Sequence, residues 1–306
     1  MPSRSPDESA CPLRVAAWQG KCLDGDVAAN LASALRAIDA AAEREAAFLC
    51  LPETFLSGYG SREIVERGAL SLDDPRLGEL AEAAARHCQV LLVGLSERLR
   101  NGEIGNTVAV FEDGRRLGIY RKTMLTSGDA REMGYCRDYD LPVFQGRGIT
   151  FGCIICHDSS FLEPAATLAY RGAQVIFSPH YNAISAGSMD EHRIRVRNNH
   201  VGLAALLGVY VVRANVVGQN SVREGTLGYG DSAIFDPNGV AIAEAGLFCE
   251  RLIVAEVDPQ RARRSGDARR DELPDRVRQQ LAGELAGYRR VDPNRAPSGA
   301  DRGGAD

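Results

Sequence analysis

From Leu13 to about Asp258 the chain alternates short, apolar β-branched runs with Ala/Leu-rich segments of helical period, which restricts it to α/β folds. Leu13–Trp18 reads as a strand. Asp26 is a helix cap, followed by Val27, Leu31, Ala34, Leu35 and Ile38 on one face. Ala47–Leu51 is a buried-type strand stopped by Pro52, Pro75–His87 a helix and Val90–Leu95 a strand. Asn106–Glu112 and Arg116–Lys122 flank Asp113-Gly114, a strong hairpin signal. Thr150–Cys156 reads as a strand, Leu162–Arg171 as a helix and Ala173–Ser178 as a strand. A helix over Met189–Leu207 and strands at Val209–Val217, Ser232–Phe235 and Leu252–Val257 complete the pattern. Hairpins among the alternating units predict mixed sheets.

No break in composition and no internal repeat interrupts this stretch, so residues 13–258 form one domain. Residues 1–12 are polar and expected to be disordered. Residues 259–306 form a tail of 11 Arg against 8 acidic residues, with Val277, Leu281, Leu285 and Tyr288 as an apolar stripe and a disordered end. The tail is expected to reach a partner subunit. The net charge of −5 argues against nucleic acid, which asks for a basic surface. No apolar run is long enough for a membrane span, and the polar start lacks the apolar stretch of a signal peptide. Eight cysteines scattered along a chain of 306 residues do not make a disulfide framework, so a reducing cytoplasm is expected. Of the 36 basic residues only Lys21 and Lys122 are lysine. Genome composition accounts for the bias, yet each surviving lysine is a candidate for chemistry that a guanidinium cannot perform.

Three element ends carry candidate chemistry. Leu-Cys-Leu-Pro-Glu53 presents a carboxylate after an apolar strand, and burial there makes a competent proton acceptor. Tyr-Arg-Lys122, with Glu132 ten residues on, places an ammonium where it can stabilise an oxyanion. Cys156 closes a strand before a polar turn and a helix, where backbone N–H groups can face a reacting oxygen. Taken singly, these are equally a capping Glu, an edge Lys and a small buried thiol. Cys153-Ile-Ile-Cys156 also has redox and zinc spacing, but positions three apart on a strand face opposite ways and no second pair exists. No phosphate loop and no H-E-x-x-H spacing is present, so neither a nucleotide nor a metal is expected.

In order, these segments resemble the nitrilase superfamily of carbon–nitrogen hydrolases. The likeness rests on Leu-Pro-Glu53 with the following Gly-Tyr59, Asn106 before the hairpin, Tyr-Arg-Lys122, and Ile-Cys156-His-Asp with Phe161 and Glu163. Arg171-Gly-Ala-Gln-Val-Ile-Phe-Ser-Pro and Asp231-Ser with Asp236-Pro-Asn-Gly complete it. The resemblance implies a four-layer α-β-β-α sandwich with two mixed β-sheets and a Glu-Lys-Cys triad. Glu53 is then the general base, Lys122 the oxyanion partner, Cys156 the nucleophile and Glu132 an orienting second carboxylate. His157, Ser159, Ser160 and Tyr59 are the implied substrate-binding residues. Tyr-Cys-Arg-Asp at 135–138 departs from the family, which often has an aromatic and Pro-Gly there.

Such a set hydrolyses an unreactive amide by way of a thioester, with no metal or organic cofactor. True nitrilases usually carry Trp-Glu-Asn after the cysteine. His157-Asp158-Ser159 instead favours an amidase or N-carbamoyl amidohydrolase over a nitrile hydrolase. Family members that cleave carboxylate-bearing substrates often have Arg three or four residues past the cysteine, where this chain has Ser159 and Ser160. A small, neutral or amine-bearing amide or carbamoyl substrate is therefore expected, acted on by a homodimer or larger homo-oligomer. A catalytically silent binding subunit and a Cys153–Cys156 redox protein are the competing classes.

Overall fold

Strand side chains alternate between two cores, and that alternation sets the layers. The structure, a computed structural model, describes residues 12–219 and 225–287. The first sheet has the order Arg251–Val257, Leu13–Gln19, Phe48–Cys50, Val90–Arg98, Ile104–Glu112, Arg115–Arg121. Its two pairings through Phe48–Cys50 are parallel and the others along that path antiparallel. The second sheet runs Ala241–Glu244, Ala233–Phe235, Tyr210–Asn215, Val175–His180, Ile149–Cys153, Val143–Gly146, with parallel pairs at its centre.

Val15, Ala17, Phe48, Cys50, Val90 and Leu92 point inward and meet Phe151, Cys153, Val175, Phe177 and Val212 of the second sheet. The Phe48 ring lies 5.2 Å from Phe151 and 5.6 Å from Phe177, joining the sheets. The alternate residues Ala16, Leu49, Leu91 and Val93 pack with the helices Val27–Glu43 and Pro75–Arg86. Ile176, Val211 and Ala233 pack with the helices Leu162–Tyr170 and Met189–Leu207. The result is the α-β-β-α sandwich of two mixed sheets.

Local signals behave as the sequence predicts. The Asp26 carboxylate accepts from the Ala29 N–H at 3.0 Å, Pro75 opens its helix, and Gly208 closes another in the left-handed region at φ 67°. Asp113 and Gly114 have φ of 49° and 74°, the conformation that a two-residue hairpin needs. Gly94 is required for a different reason. A Cβ there would stand 2.2 Å from the Pro52 carbonyl oxygen, so only glycine lets the loop bearing Glu53 lie against this strand.

The strand expected over Thr150–Cys156 ends at Cys153. The following residues leave the ladder, and Cys156 opens a tight 3₁₀ turn over Cys156–Ser160. Strand alternation therefore does not reach Cys156. Cys153 lies in the core between the sheets, whereas Cys156 is half-buried at the sheet's end.

Packing groups the chain into two compact units, the first ending at Arg269. Ala262 joins the core, and the Arg261 guanidinium reaches the Asp236 carboxylate at 2.5 Å. In the second unit, the helix Asp275–Gly287 leaves Val277, Leu281 and Leu285 exposed. Residues 1–11 of the segment 1–12 expected to be disordered, Tyr288 of the apolar stripe and the tail's end expected to be disordered lie outside the described residues. Among the described residues no helix is long and apolar enough to cross a membrane.

Candidate active site

Ends of strands from both sheets bring charged side chains to one buried point. Glu53 follows Phe48–Cys50 by way of Pro52, and its neighbour Thr54 sits at φ 46°, a conformation costly for a non-glycine residue. One Glu53 oxygen accepts from the Lys122 ammonium at 2.7 Å and from the Asn106 amide at 2.8 Å. The other accepts from the Tyr181 backbone N–H at 2.7 Å, just beyond the strand Val175–His180 of the second sheet. Lys122 follows the strand Arg115–Arg121, and its backbone N–H donates to the Asn106 carbonyl at 2.8 Å. Its ammonium also meets the Asp129 carboxylate at 2.9 Å. All three charged groups are essentially inaccessible to solvent.

The two carboxylates around Lys122 are not equivalent. Burial pushes Glu53 up; Lys122 opposes this, the nearby Asp129 charge reinforces it, and the net shift is upward. Burial also opposes ionisation of Asp129, but Lys122, the Tyr59 hydroxyl and the Thr126 N–H outweigh it and hold this carboxyl low. Burial disfavours the Lys122 charge, which Glu53 and Asp129 together restore and strengthen. Asp129 is thus the fixed counter-ion and Glu53 the group able to exchange a proton.

Cys156 stands on the strained turn at φ 47°. Burial, then the Glu53 charge, pushes its thiol up, while Lys122 pulls the other way. Asp158 clamps this turn. Its carboxylate accepts from the Ile155 N–H at 2.7 Å, the Tyr120 hydroxyl at 2.6 Å and the Met124 N–H at 2.7 Å. The cysteine turn is thereby tied to the residues just after Lys122. Burial first of all pushes Asp158 up to about 6.

Among the expected site residues, Glu53, Lys122 and Cys156 lie together. Glu132 does not join them, because a single π-helical turn over Gly128–Glu132 points Asp129 at the ammonium and leaves Glu132 exposed. Glu132 instead lines a cavity of about 270 Å³ with Tyr59, Thr126, Ser127, Met133 and Tyr181. Tyr59 stacks on Tyr181 at 5.0 Å and donates to Asp129 at 2.7 Å. The Ser159 hydroxyl donates to the Cys156 carbonyl at 2.7 Å, bracing the turn, and Ser160 is exposed. The His157 ring rests edge-on against Phe161 at 5.3 Å.

Sequence reasoning missed Asn182, which reaches Cys156 from just beyond the strand Val175–His180, and Tyr229 and Arg213, which hold Asn182. The Asn182 amide nitrogen lies 3.3 Å from the sulfur, and Arg213 holds Asn182 at 3.1 Å. Arg213 in the apolar run Val-Val-Arg-Ala was the available signal, since an unpaired charge inside a central strand is prohibitively costly. Among the described residues no group of His, Cys, Asp or Glu side chains is arranged to hold a metal ion.

Two outcomes follow for amide turnover. Lys122→Arg loses roughly 100-fold or more in kcat, because a planar fork cannot replace a compact ammonium between two carboxylates, whereas Lys21→Arg at the exposed position stays near wild type. Equal rates for the two variants contradict the geometry. On a neutral amide, Asp129→Asn lowers kcat more than Glu132→Gln; steady-state kinetics showing the reverse order return Glu132 to the cluster.

Known proteins resemble this chain in sequence and in fold. The sequence profile of the carbon-nitrogen hydrolase family matches residues 14–266. A Pseudomonas protegens protein described as "Hydrolase in pqqF 5'region" is 35% identical over 251 residues, covering 81% of this chain and 84% of its own. The N-carbamoylputrescine amidase of Solanum tuberosum is 31% identical over 285 residues, covering 86% and 93%. Among solved structures, an amidase from Nesterenkonia sp. shares the fold with a TM-score of 0.72 at 22% identity, over 90% of this chain and 97% of that one. A mutant of a Nesterenkonia amidase described as belonging to the nitrilase superfamily gives the same TM-score, 0.72. The chain belongs to the carbon-nitrogen hydrolase family.

Proposed function

We propose that the protein hydrolyses small amides or N-carbamoyl amines through a thioester on Cys156. The observation that carries this reading is that the buried Glu53–Lys122 pair and the half-buried Cys156 thiol come together. Glu53 takes the thiol proton as sulfur attacks the carbonyl carbon. The oxyanion that forms is met by the Lys122 ammonium, which is fixed before the reaction and needs no reorganisation. Glu53 then gives its proton to the departing ammonia or amine. It next takes one from water, which attacks the thioester, releases the acid and restores the thiol. Asp129 keeps Lys122 charged while Glu53 is neutral, a role that one carboxylate alone could not fill.

An amine-bearing substrate fits the surroundings. The cavity beside Glu53 and Asp129 has two stacked tyrosine rings, the Glu132 carboxylate and two hydroxyls, and among the described residues none of its lining is basic. Such a pocket suits an ammonium and repels a carboxylate. Arg213, the buried cation behind Asn182, is taken up by Asp231, Tyr229 and Asn182. The relatives named N-carbamoylputrescine amidase, at 28–31% identity, support the same direction.

Cys156→Ala abolishes turnover with the fold intact by circular dichroism, while Cys153→Ala, in the core, retains most of it. Turnover surviving in Cys156→Ala ends this mechanism. An N-carbamoyl diamine is expected to exceed a matched N-carbamoyl amino acid in kcat/KM. The opposite preference places an unoccupied arginine in the pocket.

A further inference from the structure

The mechanism above gives the Cys156 sulfur a base and a cation, yet its nearest uncharged polar neighbour has no role. The Asn182 side-chain nitrogen lies 3.3 Å from Sγ. Amide nitrogen and oxygen are not told apart by shape, but here their orientation is forced. The other end of the amide faces Arg213 Nη2 at 3.1 Å, and a guanidinium has only donors. That end must be Oδ1, so Nδ2 faces the sulfur. Tyr229 strengthens the choice: its hydroxyl accepts from Arg213 Nη2 at 3.0 Å and donates to Asn182 Oδ1 at 3.3 Å. Arg213 is fixed in turn, with Nη1 donating to the Asp231 carbonyl at 2.6 Å and its carboxylate at 3.1 Å. The Asn182 backbone is held as well, its N–H donating to Asn215 Oδ1 at 3.0 Å.

We infer that Asn182 is a further catalytic residue, whose side-chain N–H stabilises the Cys156 thiolate, and that Arg213 and Tyr229 are positioning residues that aim it. When the S–H bond breaks and the proton passes to Glu53, negative charge settles on sulfur. Nδ2–H then makes a charge-assisted bond on the side opposite the Arg213 contact, and the Arg213 cation polarises the amide through its oxygen. A donor that strengthens as charge develops favours the ionised state over the resting thiol. Arg213 is nearly inaccessible to solvent and stands one amide away from the nucleophile. The inference rests on Cys156 being that nucleophile.

Alkylation by iodoacetamide, read at the Cys156 peptide by mass spectrometry across a pH series, tests this directly. Asn182→Asp keeps the shape and the Arg213 contact but turns an acceptor towards the sulfur. It should slow alkylation at neutral pH by ~10-fold or more and move the rate profile upward by about one pH unit or more, with thermal unfolding near wild type. Asn182→Ala should shift the profile in the same direction. Tyr229→Phe, which leaves the Arg213–Asn182 bond, should shift it less than either. Wild-type rates in both Asn182 variants overturn the inference. So does a pH-independent loss that merely follows a lowered melting temperature, or a larger shift in Tyr229→Phe than in Asn182→Ala. Alkylation displaces iodide and leaves the amide bond of the reagent intact, so the Asn182 result is readable even if the wild type hydrolyses nothing offered.

Discussion

One buried ammonium between two carboxylates organises this molecule's functional end. Lys122 is almost wholly shut off from water, so its charge depends on the carboxylates of Glu53 and Asp129 beside it. Fixing those partners fixes much else. Glu53 is held from the second sheet by the Tyr181 N–H and from the first by Asn106, while Asp129 is held by Tyr59 and Thr126. The alignment of the two sheets is therefore read out chemically at their shared edge. Having two carboxylates on one ammonium also separates their proton affinities, which is what proton exchange by one of them requires.

The same end of the fold stores local strain. Thr54 and Cys156 both take positive φ without being glycine, at a cost of roughly 1–3 kcal/mol each. Gly94 admits the Glu53 loop, and Asp158 holds the cysteine turn through three donors from separate parts of the chain. The scaffold beneath, built on inward-facing residues such as Phe48, Phe151 and Phe177, bears this strain without sharing it.

Glu53, Lys122 and Cys156 were legible because each stands where an apolar run stops, and the layers because hydrophobic alternation is a property of the strands themselves. The second carboxylate was not legible. The resemblance implies Glu132 in that place, whereas the turn over Gly128–Glu132 buries Asp129, whose carboxylate meets the Lys122 ammonium at 2.9 Å. That turn lies just before the segment departing from the family's usual sequence. Asn182 and Tyr229 carried no local signal, since what gives them meaning is Arg213 on another strand. Strand alternation separated Cys153 from Cys156 on a premise the structure does not bear out, because the strand ends before Cys156. Their separation comes from core packing on one side and a tight turn on the other.

The central claim is that carbon–nitrogen bond cleavage passes through sulfur. Intact-protein mass spectrometry on enzyme quenched in acid during turnover of a slow amide tests it most directly. The account predicts an added acyl mass located on the Cys156 peptide, which decays as the acid product appears and is absent in Cys156→Ala. Product formed with no adduct on Cys156 at any time, or an adduct on Cys153 instead, contradicts it.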